Sequence, residues 1–544
     1  MKERNGQLKA ALGAMAPKKR VVEAAKIPHE NTVNRQGHAA YSIDDELNLV
    51  TMLNTLKIQP QFYRSESQIM KDLRDLIERI GCKDPYFVAQ AIVYSRCMGE
   101  GMRSINHLAA ALVSPFIAGQ PYAKRFYGLF DKKNQKGGCI FRLDDMTEIK
   151  DVYCALNKGV LSNAMKKGFA SVLENAPAYA LAKYRKGVID IANLVHPNSE
   201  ISKAMIKSEE GMVKVLDALM RGIPVTADTW EAAQSEAGQE VAKAVREGKI
   251  SAREAEQVLA EAKADNWEAL LKEGKLPIMA ALRNIRNIMK TPRKEIIDMW
   301  CNLVTNEEIV RRNLILPCYF DLAYTIVINE FGYHDYTQDV QKALLKGYEN
   351  SIPNLAEIFT GRTCVIMDCS GSMHWPVIVN GKALGHCKPN SCVYKAGLIA
   401  ATIAKATGAD VIQFGRTANY FMYDKNINVF KLAANLSSKN LGATYPYTAF
   451  DLMNLNKRRY DRIIFLSDNE VNSRNLTSDS YRRYIHDVCS PYIYCVNMAA
   501  YETIPLAGEK VSSYAGYGPA LYEDIKSKEF DAITIIDKIK QIEI

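Results

Sequence analysis

Three oxygen-bearing side chains lie at alternate positions just after an apolar run. Residues 363–367 are β-branched or apolar, which is typical of a strand buried on both faces of a parallel sheet. Asp368, Ser370 and Ser372 follow, and Gly371 permits a tight turn that brings one carboxylate and two hydroxyls to a common centre. These oxygens are hard ligands. They suit Mg²⁺, or Mn²⁺ and Ca²⁺, far better than zinc.

Two later stretches offer oxygen ligands in the same structural context. Thr444 precedes a helix-like run at residues 447–456, and residues 462–468 form a second buried-strand pattern that ends in a carboxylate. In an open α/β sheet, ligands gather at the carboxyl ends of strands near a topological switch point. The sequence therefore predicts one divalent-cation site, most readily for Mg²⁺, with five ligand residues: Asp368, Ser370, Ser372, Thr444 and Asp468.

The elements that must position these ligands alternate along the last third of the chain. Such alternation of strand and helix patterns indicates a doubly wound α/β domain, which we place at residues 356–544. The predicted strands are 363–367, 411–414, 463–466 and 492–496, and the predicted helices are 394–406, 481–488 and 521–528.

The preceding 300 residues or so carry one amphipathic helix pattern after another and almost no strand-like alternation. Apolar residues recur at spacings of three and four in each of them. The pattern predicts a degenerate array of HEAT-like or armadillo-like helical repeats over residues 37–355. The clearest helices are predicted at 44–56, 66–80, 87–98, 106–116, 165–175 and 251–262.

Composition restricts the class of protein. A chain of 544 residues with 48% hydrophobic residues should fold into two or more globular domains. It has no apolar run of about 18 residues, so we expect a soluble, cytoplasmic protein without a membrane-spanning segment. The first 36 residues hold eight Lys and Arg against three Asp and Glu, which predicts a basic, flexible tail at residues 1–36. Within it, residues 17–20 also resemble a nuclear import signal.

Most of the 12 cysteines lie in apolar runs, as expected of buried thiols in a reducing compartment. His386, Cys387 and Cys392 form the one cluster that could be half a zinc site or a thiol pair. No second Cys/His pair with ligand spacing follows it, so the role of this cluster stays open.

Cationic or protonatable side chains recur at helix ends and on helix faces of the predicted array. Such groups could bind RNA phosphates by releasing counterions, and unpaired bases could stack on neighbouring aromatic rings such as Tyr94 and Tyr184. Arg283, Arg286 and Lys290 are spaced to share one helix face. The alternative for each residue is a solvated surface group, and His196 before Pro197 could equally cap a helix. The candidate RNA-binding residues are Arg103, His107, Lys166, Lys167, Lys183, Arg185, Lys186, His196, Arg283, Arg286 and Lys290.

Two resemblances to known families follow from these motifs. The three metal loops resemble the metal-ion-dependent adhesion site (MIDAS) of von Willebrand factor type A domains, with Tyr445 where an acidic residue is frequent. Three blocks of the helical part resemble the TROVE module: YSRCMGEGMRSINHLAAA at residues 94–111, AKYR at 182–185 with LVHP at 194–197, and LPIMAALRNI at 276–285. In this order they are similar to the Ro ribonucleoprotein autoantigen family, of which the chain is identified as a distant member.

This resemblance implies a fold and a function. The fold is a closed ring, or toroid, of HEAT-like helical repeats with a central basic hole, followed by the doubly wound von Willebrand factor type A domain. The function is RNA binding without catalysis: small noncoding Y-like RNA on the outer surface, and single-stranded 3′ ends of misfolded or defective RNA in the hole, for RNA quality control or a stress response. The resemblance also implies a monomer, and it leaves open an exoribonuclease or an acidic protein partner at the metal site.

Two other classes of function remain alternatives. Asp368 and Asp468 with Mg²⁺ could support phosphoryl transfer, for which Cys369 and His374 are the nearest candidate bases or nucleophiles. The chain could also be a metal-dependent protein-adhesion scaffold that binds peptides and no RNA. An apolar inner groove in the helical array would favour this second alternative.

Overall fold

The computed structural model describes most of the chain from residue 28 onward. Described are residues 28–56, 58, 61, 63–98, 102–157, 159–208, 211–221, 223, 241, 244–290, 292–313, 315, 317–332, 335–353, 359, 361–374, 378–379, 382–383, 391–473, 476–515, 521, 525, 529 and 534–544. The predicted nuclear import signal, His386 and Cys387, and all but two residues of the predicted 521–528 helix lie outside these ranges.

Helices follow one another through the first two thirds of the described chain, as the amphipathic patterns predict. Many of these helices begin after a polar side chain that accepts a hydrogen bond from a backbone N–H of the first turn. The Asp44 carboxylate, for example, accepts the Leu47 N–H at 2.7 Å. A π-helical turn, Tyr94–Met98, continues Pro85–Val93, where we expected one uninterrupted helix. The helices are Asp45–Thr55, Glu66–Gly81, Pro85–Val93, Arg103–Leu112, Ser114–Ile117, Ala123–Phe126, Leu143–Leu156, Asn163–Asn175, Ala178–Lys183, Arg185–Val195, Val215–Met220, Ala252–Lys272, Ile278–Arg283, Ile285–Lys290, Lys294–Thr305, Glu307–Arg312, Pro317–Phe331 and Thr337–Ser351.

A six-stranded sheet follows, and four helices flank it: Cys392–Thr407, Val429–Leu436, Tyr447–Leu455 and Leu476–Asp487. All neighbouring strands are parallel except for an antiparallel pair at one edge. The four predicted strands are all present, each extended by one or two residues. From edge to edge the strands are Ala418–Tyr420, Asp410–Phe414, Thr363–Asp368, Arg462–Ser467, Tyr492–Asn497 and Val511–Ala515.

The two faces of this sheet contact different helices because side chains alternate along each strand. Val365 and Met367 pack with the Cys392–Thr407 and Val429–Leu436 helices. Cys364 and Ile366 pack on the other face, with Tyr447–Leu455 and Leu476–Asp487. The predicted α/β alternation therefore gives a sheet with helices on both faces.

The helical part and the sheet share one hydrophobic core. Buried residues from Ala264 to Tyr348 belong to the same cluster as Val365 and the helix at Cys392–Thr407. The Tyr324 and Phe430 rings stack with centroids 4.0 Å apart, and the Tyr348 hydroxyl hydrogen-bonds to Thr402. Apolar contact of this kind fixes the second half of the helical part against the sheet.

Both ends of the described chain cross the predicted domain limits. Thr32–Val33 pairs with Ala39–Ser42, which in turn pairs with Thr503–Ile504 beside the sheet. The charge of residues 1–36 predicts a flexible tail, but residues 32–36 belong to the folded structure. At the other end, the Gln90 side chain donates to the Ile542 carbonyl at 2.9 Å, so the last residues pack on the first helices and not on the sheet.

No helix in the described ranges is long and apolar enough to cross a membrane.

Asp321 of the Pro317–Phe331 helix is a half-buried acid with one enclosed carboxylate oxygen, and its ionisation should weaken the packing of the helical part on the sheet. Burial raises its pKa to about 7, and Oδ1 lacks a hydrogen-bond partner among the described residues although the residue as a whole is only partly buried. The folded-state pKa of Asp321 lies above the ordinary 3.8, so the folded state binds this proton more tightly than the unfolded state. The stability that protonated Asp321 contributes is fully present below about pH 4 and is lost as the pH rises through about 7. We expect Asp321→Asn to raise the free energy of unfolding by about 2 kcal/mol at pH 8 and by little at pH 4.

Urea unfolding at both pH values measures this difference. The exposed Asp335 supplies the control, because Asp335→Asn should leave stability unchanged at either pH. Equal effects of Asp321→Asn at pH 4 and pH 8 would contradict the explanation.

Candidate metal centre and cationic surface

The sheet brings the two predicted carboxylate ligands to one end of adjacent strands. Leu466 pairs with Met367, so the residues that follow, Ser467 and Asp468, lie beside Asp368. The Ser467 hydroxyl donates to Asp368 Oδ2 at 2.6 Å, and the Ser370 N–H donates to Oδ1 at 2.8 Å. Parallel register therefore sets the geometry of the site.

The hydroxyl ligands come from the same loops. The Ser370 and Ser372 oxygens are 3.4 Å apart, and the Ser372 hydroxyl also lies within hydrogen-bonding reach of Asp468. Thr444 joins from the second loop, which is tied to the first by the bond from the Gly371 N–H to the Gly442 carbonyl at 3.0 Å. The three predicted loops thus converge on one end of the sheet.

The electrostatics of these groups fit a divalent cation. Asp368 and Asp468 are 0% and 2% exposed, and neither forms a salt bridge with a described Lys or Arg. Burial raises the pKa of both carboxyls, and the charge of Asp468 raises that of Asp368 further. Two buried carboxylates without a cationic partner would be stabilised by Mg²⁺ held with the hydroxyls of Ser370, Ser372 and Thr444. No group of three or more His, Cys, Asp or Glu side chains forms a metal cluster among the described residues, so the hydroxyls are essential to such a site.

Sequence reasoning missed Glu470, a third acid at this end of the sheet. It is 0% exposed, and neither carboxylate oxygen has a hydrogen-bond partner in the described part of the chain. Burial and the charge of Asp468 raise its pKa to about 7. Asn469, with a left-handed φ of 66°, turns the backbone between the two acids. The sequence signal for Glu470 was its position two residues after Asp468, the aspartate that follows the strand.

Sequence reasoning also missed two residues that cover the metal loops from the amino-terminal side. Gln36 Nε2 donates to the Tyr63 hydroxyl at 2.8 Å and to the Glu470 carbonyl at 3.2 Å. The Tyr63 hydroxyl lies within hydrogen-bonding reach of Ser372, and burial with the negative charges of Asp468 and Glu470 raises its pKa to about 12. No local motif marks either residue, because their role depends on contacts across about 400 positions of sequence.

A pocket of about 580 Å³ borders the second and third loops. Its described lining includes His38, Tyr445, Tyr447 and Asn472, but none of the five predicted ligands. The pocket therefore lies beside the metal loops and does not open onto the oxygens that would bind the ion.

The other polar groups near the first loop are held in the core. Cys369 is buried, which raises its thiol pKa well above the usual range, and His374 Nε2 lies 3.2 Å from the Lys439 carbonyl. Burial raises the pKa of the Cys392 thiol to about 11, and its sulfur lies 3.6 Å from the Met498 carbonyl.

Two of the predicted RNA-binding residues lie in a buried ionic cluster. His107 is 2% exposed and contacts Asp145 at 3.0 Å and Glu148 at 2.6 Å. Arg103 contacts Glu148 at 2.8 Å, and Arg96 contacts Asp145 at 2.6 Å. Carboxylates of the Leu143–Leu156 helix thus already pair with Arg103 and His107 and would compete with phosphate, which disfavours these two among the predicted RNA-binding residues.

The predicted ridge of Arg283, Arg286 and Lys290 is also corrected. All three side chains are exposed, but one helix ends at Arg283 and the next begins at Ile285, so they do not share one helix face. Arg286 is further paired with the Glu330 carboxylate at 2.5 Å.

The remaining predicted Lys and Arg residues lie on three successive helices, Asn163–Asn175, Ala178–Lys183 and Arg185–Val195, and Tyr184 connects the last two. Lys167, Lys183 and Lys186 are exposed, and Lys166 and Arg185 are half-buried. Lys183 Nζ lies 5.4 Å from the Tyr184 ring centroid, and the Arg142 guanidinium lies 6.0 Å from it. Tyr94, by contrast, is only 7% exposed and cannot stack on a base without rearrangement.

His196 is exposed and ends the Arg185–Val195 helix in a left-handed conformation, with φ of 49°. Its backbone N–H donates to the Ala192 carbonyl, so it is the helix-capping residue that the sequence left as an alternative.

Comparison with known proteins finds similarity in structure but not in sequence. No protein-family profile matches the chain, and no curated protein is significantly similar to it in sequence. Among solved structures, the crystal structure of the Deinococcus radiodurans Ro (RSR) protein is similar, with a TM-score of 0.57 and 14% sequence identity. The match covers 89% of this chain and 100% of that one. The chain has the fold of a Ro protein.

The Ro fold confirms the resemblance that the sequence motifs predicted. At this low sequence identity, neither the family profiles nor the curated proteins give a match. It runs through the helical part and the sheet alike, because the match spans the whole of the Ro chain. At 14% identity the likeness establishes the fold, and the functional residues must be judged from their own surroundings.

The buried carboxylate pair predicts how the stability of this Ro fold depends on pH and Mg²⁺. The folded-state pKa values of Asp368 and Asp468 both lie above the ordinary Asp value. Without metal, the stability that these two protonated carboxyls contribute is therefore fully present below about pH 4 and is lost as they ionise at higher pH. We expect Asp368→Asn to raise the free energy of unfolding in EDTA at pH 8 by about 1–3 kcal/mol and to abolish stabilisation by Mg²⁺. Thermal unfolding in EDTA and in Mg²⁺ tests both effects.

Asp451→Asn is the control, because Asp451 lies at the surface in a pair with Arg483. A loss of stability in EDTA for Asp368→Asn, or a full response of that variant to Mg²⁺, would contradict the interpretation.

The buried cluster around Asp145 predicts the opposite dependence on pH. Its cationic and backbone hydrogen-bond donors outweigh burial and hold the pKa of Asp145 well below its ordinary value of 3.8. Its contribution is therefore present above about pH 4 and is lost as the pH falls further. We expect Asp145→Asn to cost about 3–5 kcal/mol at pH 7, because it leaves buried cations without their partner.

Chemical denaturation at pH 7 measures this cost. Asp151→Asn, which removes an exposed partner of Lys150, should cost less than about 1 kcal/mol. A comparable cost for the two variants would show that the cluster is not a structural one.

Proposed function

We propose that the chain is an RNA-binding protein of the Ro ribonucleoprotein type. The observation that carries the proposal is a fold shared with a Ro protein over 89% of this chain, together with exposed cations on the matching helical part. By the same resemblance, it would bind small noncoding Y-like RNA on its outer surface and single-stranded 3′ ends of misfolded RNA in a central basic hole of a closed helical ring. Its role would be RNA quality control or a stress response.

The surroundings of Tyr184 support an RNA surface on physical grounds. The lysines at positions 167, 183 and 186 are exposed, so their ammonium groups face solvent, from which phosphate would approach. Tyr184 is half-buried among cations, so it offers a ring on which an unpaired base could stack. We therefore place the RNA contacts at the helices Asn163–Asn175, Ala178–Lys183 and Arg185–Val195, and no longer at Arg103 and His107.

In this proposal the sheet is a von Willebrand factor type A domain with a MIDAS-type metal centre, and the protein acts in the cytoplasm as a monomer without catalysis. Asp368 and Asp468, with the hydroxyls of Ser370, Ser372 and Thr444, would hold a divalent cation, most readily Mg²⁺. Such an ion supplies positive charge between the two carboxylates. The surroundings of Cys369 and His374 disfavour a role in phosphoryl transfer, because both groups are buried.

The alternative function, a metal-dependent protein-adhesion scaffold without RNA, is less well supported. It needs an open metal face on which an acidic partner can complete the coordination. Gln36 and Tyr63 lie over that face, and Ser370 and Thr444 are 1% and 2% exposed. An exoribonuclease partner remains compatible with the proposal, at a surface away from the covered loops.

Charge reversal at the surface around Tyr184 tests the proposal. We expect Lys167→Glu, Lys183→Glu and Lys186→Glu together to lower the affinity for single-stranded RNA by about 100-fold or more and to reduce its salt dependence, because phosphate contacts are lost. Filter binding at several salt concentrations, with sequencing of RNA that copurifies with the native protein, measures the effect.

The matched control has the same change in charge on the sheet domain. Lys425, Lys431 and Lys457 are exposed there, and their replacement by Glu should leave RNA affinity nearly unchanged. Background RNA binding by the native protein would contradict the proposed function. Equal losses in the two triple variants would contradict the assignment to the surface around Tyr184.

A further inference from the structure

The metal loops are enclosed by the chain itself. Asp368, Ser370, Thr444 and Asp468 are each at most 2% exposed, although all four lie at the end of the sheet where an external ligand would approach. We call residues 31–38, 61, 63 and 64, which lie against the metal loops, the cover. An open adhesion site needs at least one coordination position facing solvent. Ser372, the fifth predicted ligand, is half-buried, and the cover contacts the loops on that side.

The cover is bonded to the second and third metal loops. Asn34 Nδ2 donates to the Val471 carbonyl at 2.7 Å, and Gln36 Nε2 donates to the Glu470 carbonyl at 3.2 Å. The Asn472 amide hydrogen-bonds to Gln36 Oε1 and, through Oδ1, accepts the Thr444 N–H at 2.8 Å. A displacement of either loop by a bound ion would therefore be transmitted to Gln36.

The cover is also bonded to the helical part. Arg35 forms salt bridges with Asp72 at 3.1 Å and with Glu502 at 2.6 Å. The fully enclosed Arg64 side chain joins the same two acids, at 3.4 Å and 3.0 Å. Asp72 lies in the Glu66–Gly81 helix, whereas Glu502 belongs to the sheet domain, so the network links the two parts of the chain. Because two arginines share the same two acids and Arg64 is fully buried, these ion pairs hold a fixed geometry.

Ser372 connects the cover with the ion position. Its hydroxyl lies within hydrogen-bonding reach of both the Tyr63 hydroxyl and the Asp468 carboxylate. Gln36 in turn donates to the Tyr63 hydroxyl at 2.8 Å. Gln36, Tyr63 and Ser372 thus connect the cover to the carboxylate of Asp468.

We propose that the metal centre is an internal staple: Gln36 and Tyr63 position the loops that carry its ligands and close the side on which an external ligand would bind, and a bound Mg²⁺ holds the helical part to the sheet domain. Tyr63 acts as a positioning residue, since it orients Ser372 toward the ion. The inference rests on the proposed metal centre but not on RNA binding. It assigns a structural role to a site whose likeness to a MIDAS would otherwise suggest adhesion.

The test follows amide hydrogen exchange in the full-length protein without RNA, in EDTA and in Mg²⁺. Mg²⁺ should slow exchange in residues 31–38 and 63–72 as well as in the metal loops, because the ion fixes all of them together. Protection confined to the loops around residues 368–372, 442–444 and 468–472 would overturn the proposal, as would absence of Mg²⁺ binding by the native protein.

Two conservative variants isolate the cover. Tyr63→Phe and Gln36→Ala should each weaken Mg²⁺ affinity, measured by calorimetry, by about tenfold, as expected for groups that orient metal ligands. Tyr179→Phe is the matched control, because Tyr179 is 56% exposed on the Ala178–Lys183 helix, and its Mg²⁺ affinity should equal that of the native protein. Native affinity in both cover variants would overturn the proposal.

A glutamate-containing peptide is the probe for an open site. We expect no binding of this peptide by the native protein in Mg²⁺, because the cover fills the position it needs. Mg²⁺-dependent binding to the native protein, lost in Asp368→Asn, would show an adhesion site and overturn the internal staple. None of these outcomes depends on RNA, so failure of the staple and failure of the proposed RNA function are distinguishable.

Discussion

Mutual repulsion between two buried carboxylates is the constraint on which this end of the structure depends. The parallel register of Thr363–Asp368 and Arg462–Ser467 places Asp368 beside Asp468, and no described cationic side chain compensates them. Burying such a pair is costly unless protons or a cation neutralise it. The loops, the nearby Glu470 and the cover all lie within the influence of this charge. A divalent cation bound between the two carboxylates would replace their repulsion by attraction to the ion. Because the cover is bonded to both the metal loops and the helices, the ion would also stabilise the contact between them.

The helical part separates its cations by whether acids neutralise them. Around Asp145, carboxylates from one helix enclose Arg96, Arg103 and His107, so these charges stabilise the packing of helices. Around Tyr184, lysines remain exposed at the ends and faces of neighbouring helices. The two groups are similar in sequence. They differ in the structure, because acids of the Leu143–Leu156 helix enclose the first group, whereas Lys167, Lys183 and Lys186 of the second group are exposed.

Periodic patterns predicted the fold well because each reports a local property. The apolar run at residues 363–367 and its three counterparts became strands, and the predicted helices in the described ranges overlap observed ones, although the helix predicted at 251–262 continues to Lys272. The three metal loops also converge, since the carboxyl ends of parallel strands meet at one edge. Two features were not predictable in this way. The roles of Tyr63 and Gln36 depend on contacts with distant loops, and the neutralisation of His107 depends on a helix about 40 residues away.

The break after Arg283 shows a different limit. A spacing of three and four residues predicts a shared face only if one helix continues, and here Asn284 separates two short helices. The charge of the amino-terminal residues was similarly misleading. Arg35 is part of a positive segment in sequence, but in the fold it pairs with Asp72 and Glu502.

The most direct test of the central claim is to map where RNA contacts the native protein. Photocrosslinking to single-stranded RNA that carries 4-thiouridine, followed by mass spectrometry of the crosslinked peptides, identifies the contacting residues. The proposed function predicts crosslinks in the helices Asn163–Asn175, Ala178–Lys183 and Arg185–Val195, with Tyr184 among the crosslinked residues. Crosslinks confined to the sheet domain, or none above the level of a protein that does not bind RNA, would contradict it.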